Sequence, residues 1–128
     1  MSKGSRRERE AVELYQRARM AAYRPATVRF GENDMFGLFD LLAVSPRHTH
    51  VHAVQVKSNG ARGIGKWNRH TELFRQLGFR TFYLVPYDNQ GWRLIECDGG
   101  TNDVVDERNE NVPMGEGIVY WLEKQAAP

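Results

Sequence analysis

The sequence predicts an α/β domain with a mixed central sheet flanked by helices, and three observations carry that expectation. Two stretches place apolar residues at helical spacing. A nearly continuous apolar run with turn signals on either side lies between them. Two further short strand-like runs then precede a last helical segment. The resulting order of helix, three strands, helix, two strands and helix suits helices packed on a sheet.

Element by element, Ser5 is placed to cap the first helix, with Glu8 completing a capping box three residues on. Ala11, Leu14, Tyr15, Ala18, Ala21 and Ala22 form one apolar stripe, and Pro25 ends the helix. Thr27–Phe30 reads as a short strand, followed by a loop from Gly31 to Gly37 that carries Glu32, Asn33 and Asp34. Leu38–Val44 reads as a buried strand, Ser45-Pro46-Arg47 as a turn and His50–Lys57 as the returning strand of a hairpin. Ser58–Gly65 is a Gly-rich loop. Ile64, Trp67, Thr71, Phe74 and Leu77 form the second helical stripe, stopped by Gly78. Thr81–Val85 and Trp92–Cys97 are strands around a turn at Asp88–Gly91. After an acidic, Gly/Asn-rich stretch, Gly117–Lys124 is the terminal helix.

The chain's 128 residues suit one domain over 1–128, with a core at about 5–97 and a C-terminal acidic loop and helix at 98–128. Its 41% hydrophobic and 27% charged residues are ordinary for a water-soluble fold. No apolar run approaches the ~20 residues that span a bilayer, and the N-terminus lacks a signal-peptide core. An intracellular, cytoplasmic protein without membrane contact is expected. Cys97 is the only cysteine, which excludes an intrachain disulfide and a thiolate zinc cluster. Residues 1–80 carry 15 Lys and Arg against 7 Asp and Glu, whereas residues 81–128 carry 3 against 9. A basic front portion beside an acidic tail suits a polyanion on one face. Well-solvated arginine-rich helices are the plainer reading, and charge leaves both open.

The informative residue is Asp40, a carboxylate among Leu38, Phe39, Leu41 and Leu42. Burying it costs several kcal/mol (order of magnitude ~) unless it is paired or binds a metal. Lys57 poses the same problem at the end of Val54-Gln55-Val56-Lys57. Strand parity puts Ala53, Gln55 and Lys57 on one face and His52, Val54 and Val56 on the other. A tight hairpin brings Asp40 beside Gln55, with Lys57 one step on. Such an oxygen-lined site suits Mg2+ or Mn2+, which would activate water and offset charge on a phosphate. Lys57 would orient or deprotonate the nucleophile or stabilise the transition state. A buried Asp–Lys ion pair without catalysis fits the spacing equally well.

Asp40 followed across a hairpin by Gln55-Val56-Lys57 resembles the PD-(D/E)xK nuclease signature in its QxK form. More specifically, the chain resembles the archaeal-type Holliday junction resolvases, a family that also occurs in viruses. Lys3-Gly4-Ser5-Arg6-Arg7-Glu8-Arg9 matches that family's N-terminal pattern of Lys-Gly, three residues, then Glu-Arg. Val28-Arg29 matches an arginine placed before the active-site loop, and Gly91-Trp92-Arg93-Leu94-Ile95-Glu96 matches a late strand. The likeness runs from about Lys3 to Cys97.

This resemblance implies a restriction-endonuclease-like sheet and a Mg2+-dependent homodimer, with Mn2+ as a substitute ion. Such an enzyme nicks branched double-stranded DNA symmetrically across a four-way junction, leaving 5′-phosphate and 3′-hydroxyl ends. It implies that Glu8, Asp40, Gln55 and Lys57 are catalytic, and that Glu8, Asp40, Gln55 and the Val56 carbonyl bind the metal. Arg9 and Arg29 carry over as phosphate-facing or site-supporting arginines. Arg6, Arg7, Arg62, Lys66 and Arg69 complete the expected DNA-binding set. A virus-encoded protein acting in a host cell fits this picture. Family members usually have Glu where this chain has Gln55, so the chain supplies an oxygen donor without its charge. The loop between Arg29 and Asp40 is longer than the family's and lacks its serine. Asp34 there is either an added carboxylate or a loop-solvating residue.

His50 and His52 lie on the face opposite Gln55 and Lys57, so they stay outside that cluster. Gly60, Gly63 and Gly65 lack the Gly-Lys-Ser/Thr ending of a nucleotide loop, and no nucleotide cofactor is expected. Trp67 and Phe74 belong to the helix stripe. Trp92, Tyr120 and Trp121 are core or dimer interface. Two other readings stand beside the resolvase: a restriction- or repair-type nuclease of the same superfamily, and an inactive DNA-binding module.

Overall fold

The computed structural model describes residues 3–25, 35–58 and 60–125, the first three of these as backbone. Helix α1 (Lys3–Arg17) is followed by strands β1 (Ala21–Tyr23), β2 (Leu41–Val44) and β3 (His52–Val56). Helices α2 (Ile64–His70) and α3 (Glu72–Gln76) lead into β4 (Arg80–Tyr87), β5 (Gly91–Cys97) and β6 (Thr101–Asp106). A 3-10 turn at Glu107–Asn109 and helix α4 (Glu116–Lys124) complete the chain. The six strands lie in sequence order, antiparallel except for the parallel β3–β4 pair. The α2–α3 segment supplies the crossover that a parallel pair requires.

Alternation along the strands sorts the apolar residues into two cores. Leu41, Ala43, Val54, Val56, Phe82, Leu84 and Leu94 face α1 and α4, meeting Ala11, Leu14, Tyr15, Ile118 and Leu122. Phe39, Ala53, Tyr83, Val85, Ile95 and Cys97 face the other way, meeting Trp67 and Phe74 of α2 and α3. The mixed sheet flanked by helices expected from the sequence is therefore present, as three layers.

Several boundaries differ from expectation. The first helix begins at Lys3, so Ser5 lies inside it rather than capping it. It stops at Arg17 rather than Pro25, because Arg19 turns into the left-handed region at φ 67°. There Arg19 N–H donates to Gln16 C=O and Met20 N–H to Tyr15 C=O, the paired bonds of a Schellman ending. Ala21 and Ala22 consequently leave the helical stripe and pair as β1 with Val44 and Ala43. The long strand expected from Leu38 starts only at Leu41. Residues Met35 to Phe39 form a tight turn closed by a bridge between its ends, with Phe36 at φ 59° and Gly37 at φ 67°. The second helix breaks at buried Thr71, whose hydroxyl donates back to the Asn68 carbonyl and receives Arg75. The strand expected at Thr27–Phe30 falls outside the described residues.

The acidic stretch after Cys97, expected to be irregular, contains β6. Its end is organised by Glu107, a buried carboxylate that accepts the backbone N–H groups of Trp92 (2.8 Å), Gly115 (2.8 Å) and Ile118 (3.1 Å). One side chain thereby ties β5 to the entry of α4. Gly91 is required beside it: a Cβ there would lie 2.6 Å from Glu107 Oε1, at a φ of +86°. Of the C-terminal aromatics, Trp92 is core and Trp121 packs edge-on to Phe82. Tyr120 is exposed beneath the Lys124 ammonium.

At the other end of β3, His52 is fully buried, stacked on Phe82 and edge-on to Tyr15 and His48. Burial, then the Arg80 charge, then His48 and His50 lower its pKa from 6.5 to about 3.

Two predictions follow from these buried polar groups. Glu107→Ala leaves three buried N–H groups unsatisfied and should cost about 3 kcal/mol or more, read as a fall in denaturation midpoint. A change below about 0.5 kcal/mol would show that the anchor is dispensable. For His52, the unfolded chain takes up a proton at a pH where the folded chain does not. Its contribution is therefore complete above the ordinary pKa of 6.5 and is lost as pH falls toward 3. Melting temperature followed from pH 7.5 to 4 should fall less steeply in His52→Phe than in the parent, and equal slopes would refute this.

Candidate active site

Where β2 begins, Asp40 is buried and its side chain stands in for part of the sheet ladder. Its backbone N–H donates to Val54 C=O, and its Oδ2 accepts the Val56 N–H at 2.8 Å. The register that sets Leu41 against Val54 and Leu42 against Ala53 places Asp40 opposite Gln55 when continued by one residue. Parity gives Asp40 and Gln55 the α2-facing side, as expected from the sequence. Within a strand, a residue's N–H and C=O point toward the same neighbour. Val56 donates toward Asp40, so its carbonyl faces that side as well.

Gln55 and Lys57 open into a cleft of about 380 Å³ between the ends of β3 and β4 and helix α2. Its other walls are Gly37 and Leu38 from the tight turn, and Arg62, Lys66 and His70 from the α2 side. Trp67 and Tyr83 form the apolar floor, and two hydrogen bonds fix its shape. Trp67 Nε1 donates to the Leu38 carbonyl at 2.8 Å, which fastens the tight turn to α2. The Tyr83 hydroxyl donates to the Arg62 carbonyl at 2.9 Å, which fastens the start of α2 to β4. Burial, then Cys97 and Asp40, raise the Tyr83 pKa, so the phenol stays a donor.

Glu8 reaches this end of the sheet from the opposite face. It pairs with Arg24 at 3.3 Å, and the β1–β2 register continued by one residue sets Arg24 opposite Leu41, next to Asp40. Arg7, Ser58 and Pro86 line one small cavity, so the first turns of α1 also lie beside the residue that follows Lys57. Among the described residues no group of three or more His, Cys, Asp and Glu is placed to hold a metal ion. The donor set near β3 is instead one carboxylate, one amide oxygen and one backbone carbonyl. Oxygen-only donors fit Mg2+ or Mn2+ and not zinc or copper.

The expected DNA-binding residues separate. Arg6, Arg9, Arg62, Lys66 and Arg69 are exposed. Arg7 is largely covered and engaged by Asp88 at 2.6 Å and Glu10 at 3.3 Å, which corrects its expected role as a free phosphate contact. Arg69 is not part of the cleft wall, whereas His70 is. The sequence held the signal for His70: Lys66 and His70 stand four residues apart, the spacing of one helical face. Arg29, Glu32 and Asp34 lie outside the described residues. A larger cavity of about 660 Å³ lies along α1, but its arginines Arg6, Arg7 and Arg17 are each paired with an acid.

The fold is similar to that of Hjc, a Holliday junction resolvase from the archaeal hyperthermophile Archaeoglobus fulgidus. The match has a TM-score of 0.52 and 19% identity, over 81% of this chain and 88% of that chain. The likeness shows the fold. No protein-family model and no curated protein matches the chain. No helix among the described residues is long and apolar enough to cross a membrane. Within that fold, the arrangement can present oxygen donors beside an amine at the mouth of a cationic cleft.

Proposed function

We propose that the protein is a metal-dependent endodeoxyribonuclease that cuts four-way DNA junctions by paired symmetric nicks. One observation carries the reading. On a resolvase-like fold, Asp40 is held against β3 beside Gln55, and Gln55 and Lys57 open into a cleft that Arg62 and Lys66 also line. Asp40, Gln55 and the Val56 carbonyl would hold Mg2+ or Mn2+, with Glu8 added from α1. When bound, the ion supplies Lewis acidity and a nucleophile at neutral pH. Lys57 orients the attacking water or stabilises the charge that builds on the phosphate. Arg62 and Lys66 hold the strand in line, and the exposed Arg6, Arg9 and Arg69 meet flanking phosphates. The products carry 5′-phosphate and 3′-hydroxyl ends.

A homodimer suits paired nicks, and an apolar surface supports it. Phe36, Leu73 and Leu77 are 76%, 60% and 67% exposed, and the Phe36 ring lies 5.1 Å from Phe74. Large apolar groups so exposed on one helix and the adjoining turn suit a second copy. They replace the C-terminal aromatics considered from the sequence, of which Trp92 is consumed by the core.

A labelled four-way junction and a linear duplex of the same sequence test the activity. With Mg2+ the junction should be nicked and the duplex left largely whole. Asp40→Ala and Lys57→Ala should abolish cutting while binding persists, and Gln55→Glu should keep or raise activity. Equal cutting of both substrates indicates a nuclease of another specificity. An intact junction in both Mg2+ and Mn2+ indicates a binding module. Light scattering of the purified protein should give a dimer, and Leu73→Asp with Leu77→Asp should give a folded monomer. A monomeric parent would dispose of the dimer alone.

A further inference from the structure

The first two turns of α1 carry Glu8 but bring no apolar anchor with them. Lys3-Gly4-Ser5-Arg6-Arg7-Glu8-Arg9-Glu10 contains no large apolar residue, and the helix enters the core cluster only from Ala11. Polar contacts therefore decide where Glu8 stands. Two of them lead from these turns to opposite sides of β3. Glu8 pairs at 3.3 Å with Arg24, the residue that follows β1. Arg7 pairs at 2.6 Å with Asp88, the residue that follows β4. Strand order puts β2 and β3 between these attachment points, and the registers bring all the strand ends concerned to one end of the sheet. The end of β3, with Val56 and Lys57, thus lies between the two ties.

The Arg7 guanidinium is well placed to hold its side. Its side chain is 14% exposed, and it reaches Asp88 through Nη2 and Glu10, one turn along α1, through Nη1 at 3.3 Å. With Ser58, Pro86, Tyr87 and Asp88 it lines a cavity of about 200 Å³ beside the residue after Lys57. A guanidinium so covered needs its carboxylate partner. Adjacent residues leave a helix about 100° apart, so Arg7 and Glu8 restrain α1 from different sides. Without the tie to Asp88, the pair with Arg24 would draw Glu8 toward β1 and away from the Val56 carbonyl.

We propose that Arg7 is a positioning residue, whose bridge to Asp88 holds Glu8 where it joins Asp40, Gln55 and the Val56 carbonyl in binding the ion. The inference rests on the function proposed above. It gives Arg7 a task that suits a covered side chain, in place of a phosphate contact. Asp88→Asn opens the bridge while leaving every proposed ligand present. The ion should then bind more weakly, and the chemistry should be unchanged once it is bound.

Mn2+ binding read by electron paramagnetic resonance tests this, in a Lys57→Ala background that holds a four-way junction uncut. Asp88→Asn and Arg7→Gln should each weaken Mn2+ binding about threefold to tenfold. The double variant should lose no more than either alone, since both open one bridge. With Lys57 present, the Mn2+ concentration for half-maximal cutting should rise by the same factor. The rate at saturating Mn2+ should stay within about twofold. Junction affinity of Arg7→Gln in Ca2+ should also stay within about twofold, which a direct phosphate contact would not allow. In Asp88→Asn, backbone amides of residues 7–10 should exchange hydrogen about threefold to tenfold faster, with those of α4 unchanged. Arg17→Gln, which opens the Arg17–Glu116 bridge farther along α1, should change Mn2+ binding less than about twofold and serves as the control.

Unchanged Mn2+ binding in Asp88→Asn would overturn this inference and leave the nuclease reading standing. Loss of junction affinity in Arg7→Gln without loss of Mn2+ binding would also overturn it, returning Arg7 to the phosphate contacts. Absence of both Mn2+ binding and cutting in the unmodified protein would remove the nuclease reading itself, and this inference with it.

Discussion

The hydrogen bond from the Val56 N–H to the Asp40 carboxylate is the contact around which the site is built. At this point β2 has stopped supplying backbone partners, and a side chain takes over the next place in the ladder. The consequence is geometric. Val56 stays in extended register beside β4, and its neighbours Gln55 and Lys57 must both point to the α2 face. The Met35–Phe39 turn can then fold away from the sheet without exposing an unpaired buried N–H. Trp67 secures that turn through the Leu38 carbonyl, so the carboxylate, the amide and the cleft wall hold one another in place.

Much of this was legible because it obeys period-two geometry. Asp40 was conspicuous in an apolar run, and the parity of Ala53, Gln55 and Lys57 followed from the residue numbers alone. His52 was correctly assigned to the opposite face, where it packs on Phe82 and Tyr15. The errors came where tertiary contacts override local preference. Arg19 closes α1 in a left-handed conformation that usually signals glycine, so two alanines with strong helix preference became an edge strand. Thr71 matched the helical stripe yet breaks the helix through its own hydroxyl. β6 mixes Thr101, Val104 and Val105 with Asn102, Asp103 and Asp106, which strands disfavour, and is held by pairing with β5 and by the Arg93–Asp103 bridge. In the sequence His70 is marked only by its four-residue spacing from Lys66, a weaker signal than the fixed charge of its neighbour Arg69.

The charge asymmetry of the chain acquires a different meaning in three dimensions. In the sequence the acids of residues 81–128 stand only as a counterpart to the basic front portion. Many of these acids serve the fold. Asp103 engages Arg93, Asp106 engages Arg108, Glu116 engages Arg17, Glu96 engages Arg80, and Glu107 collects three backbone N–H groups. Most of these pairs are partly exposed, and each contributes little to stability. Their effect is on the field: acids bound to arginines on the α4 side and near the sheet's later strands do not oppose the cations around Lys57.

Gln55 brings these strands of reasoning together. A carboxylamide offers a metal the same kind of oxygen as a carboxylate, but without the charge that makes the ion's dehydration worthwhile. A site that held an ion through Asp40, Gln55 and a backbone carbonyl, with Glu8 added from α1, would have donors in adequate number and one charge fewer than with an acid at position 55. The remedy lies in the substrate, since a phosphodiester carries one negative charge and oxygens of the required hardness. Seated by Lys57, Arg62, Lys66 and His70, it would be both the target of the ion and part of its binding site. On the function proposed above, the amide would move part of that dependence from the protein to its complex with DNA.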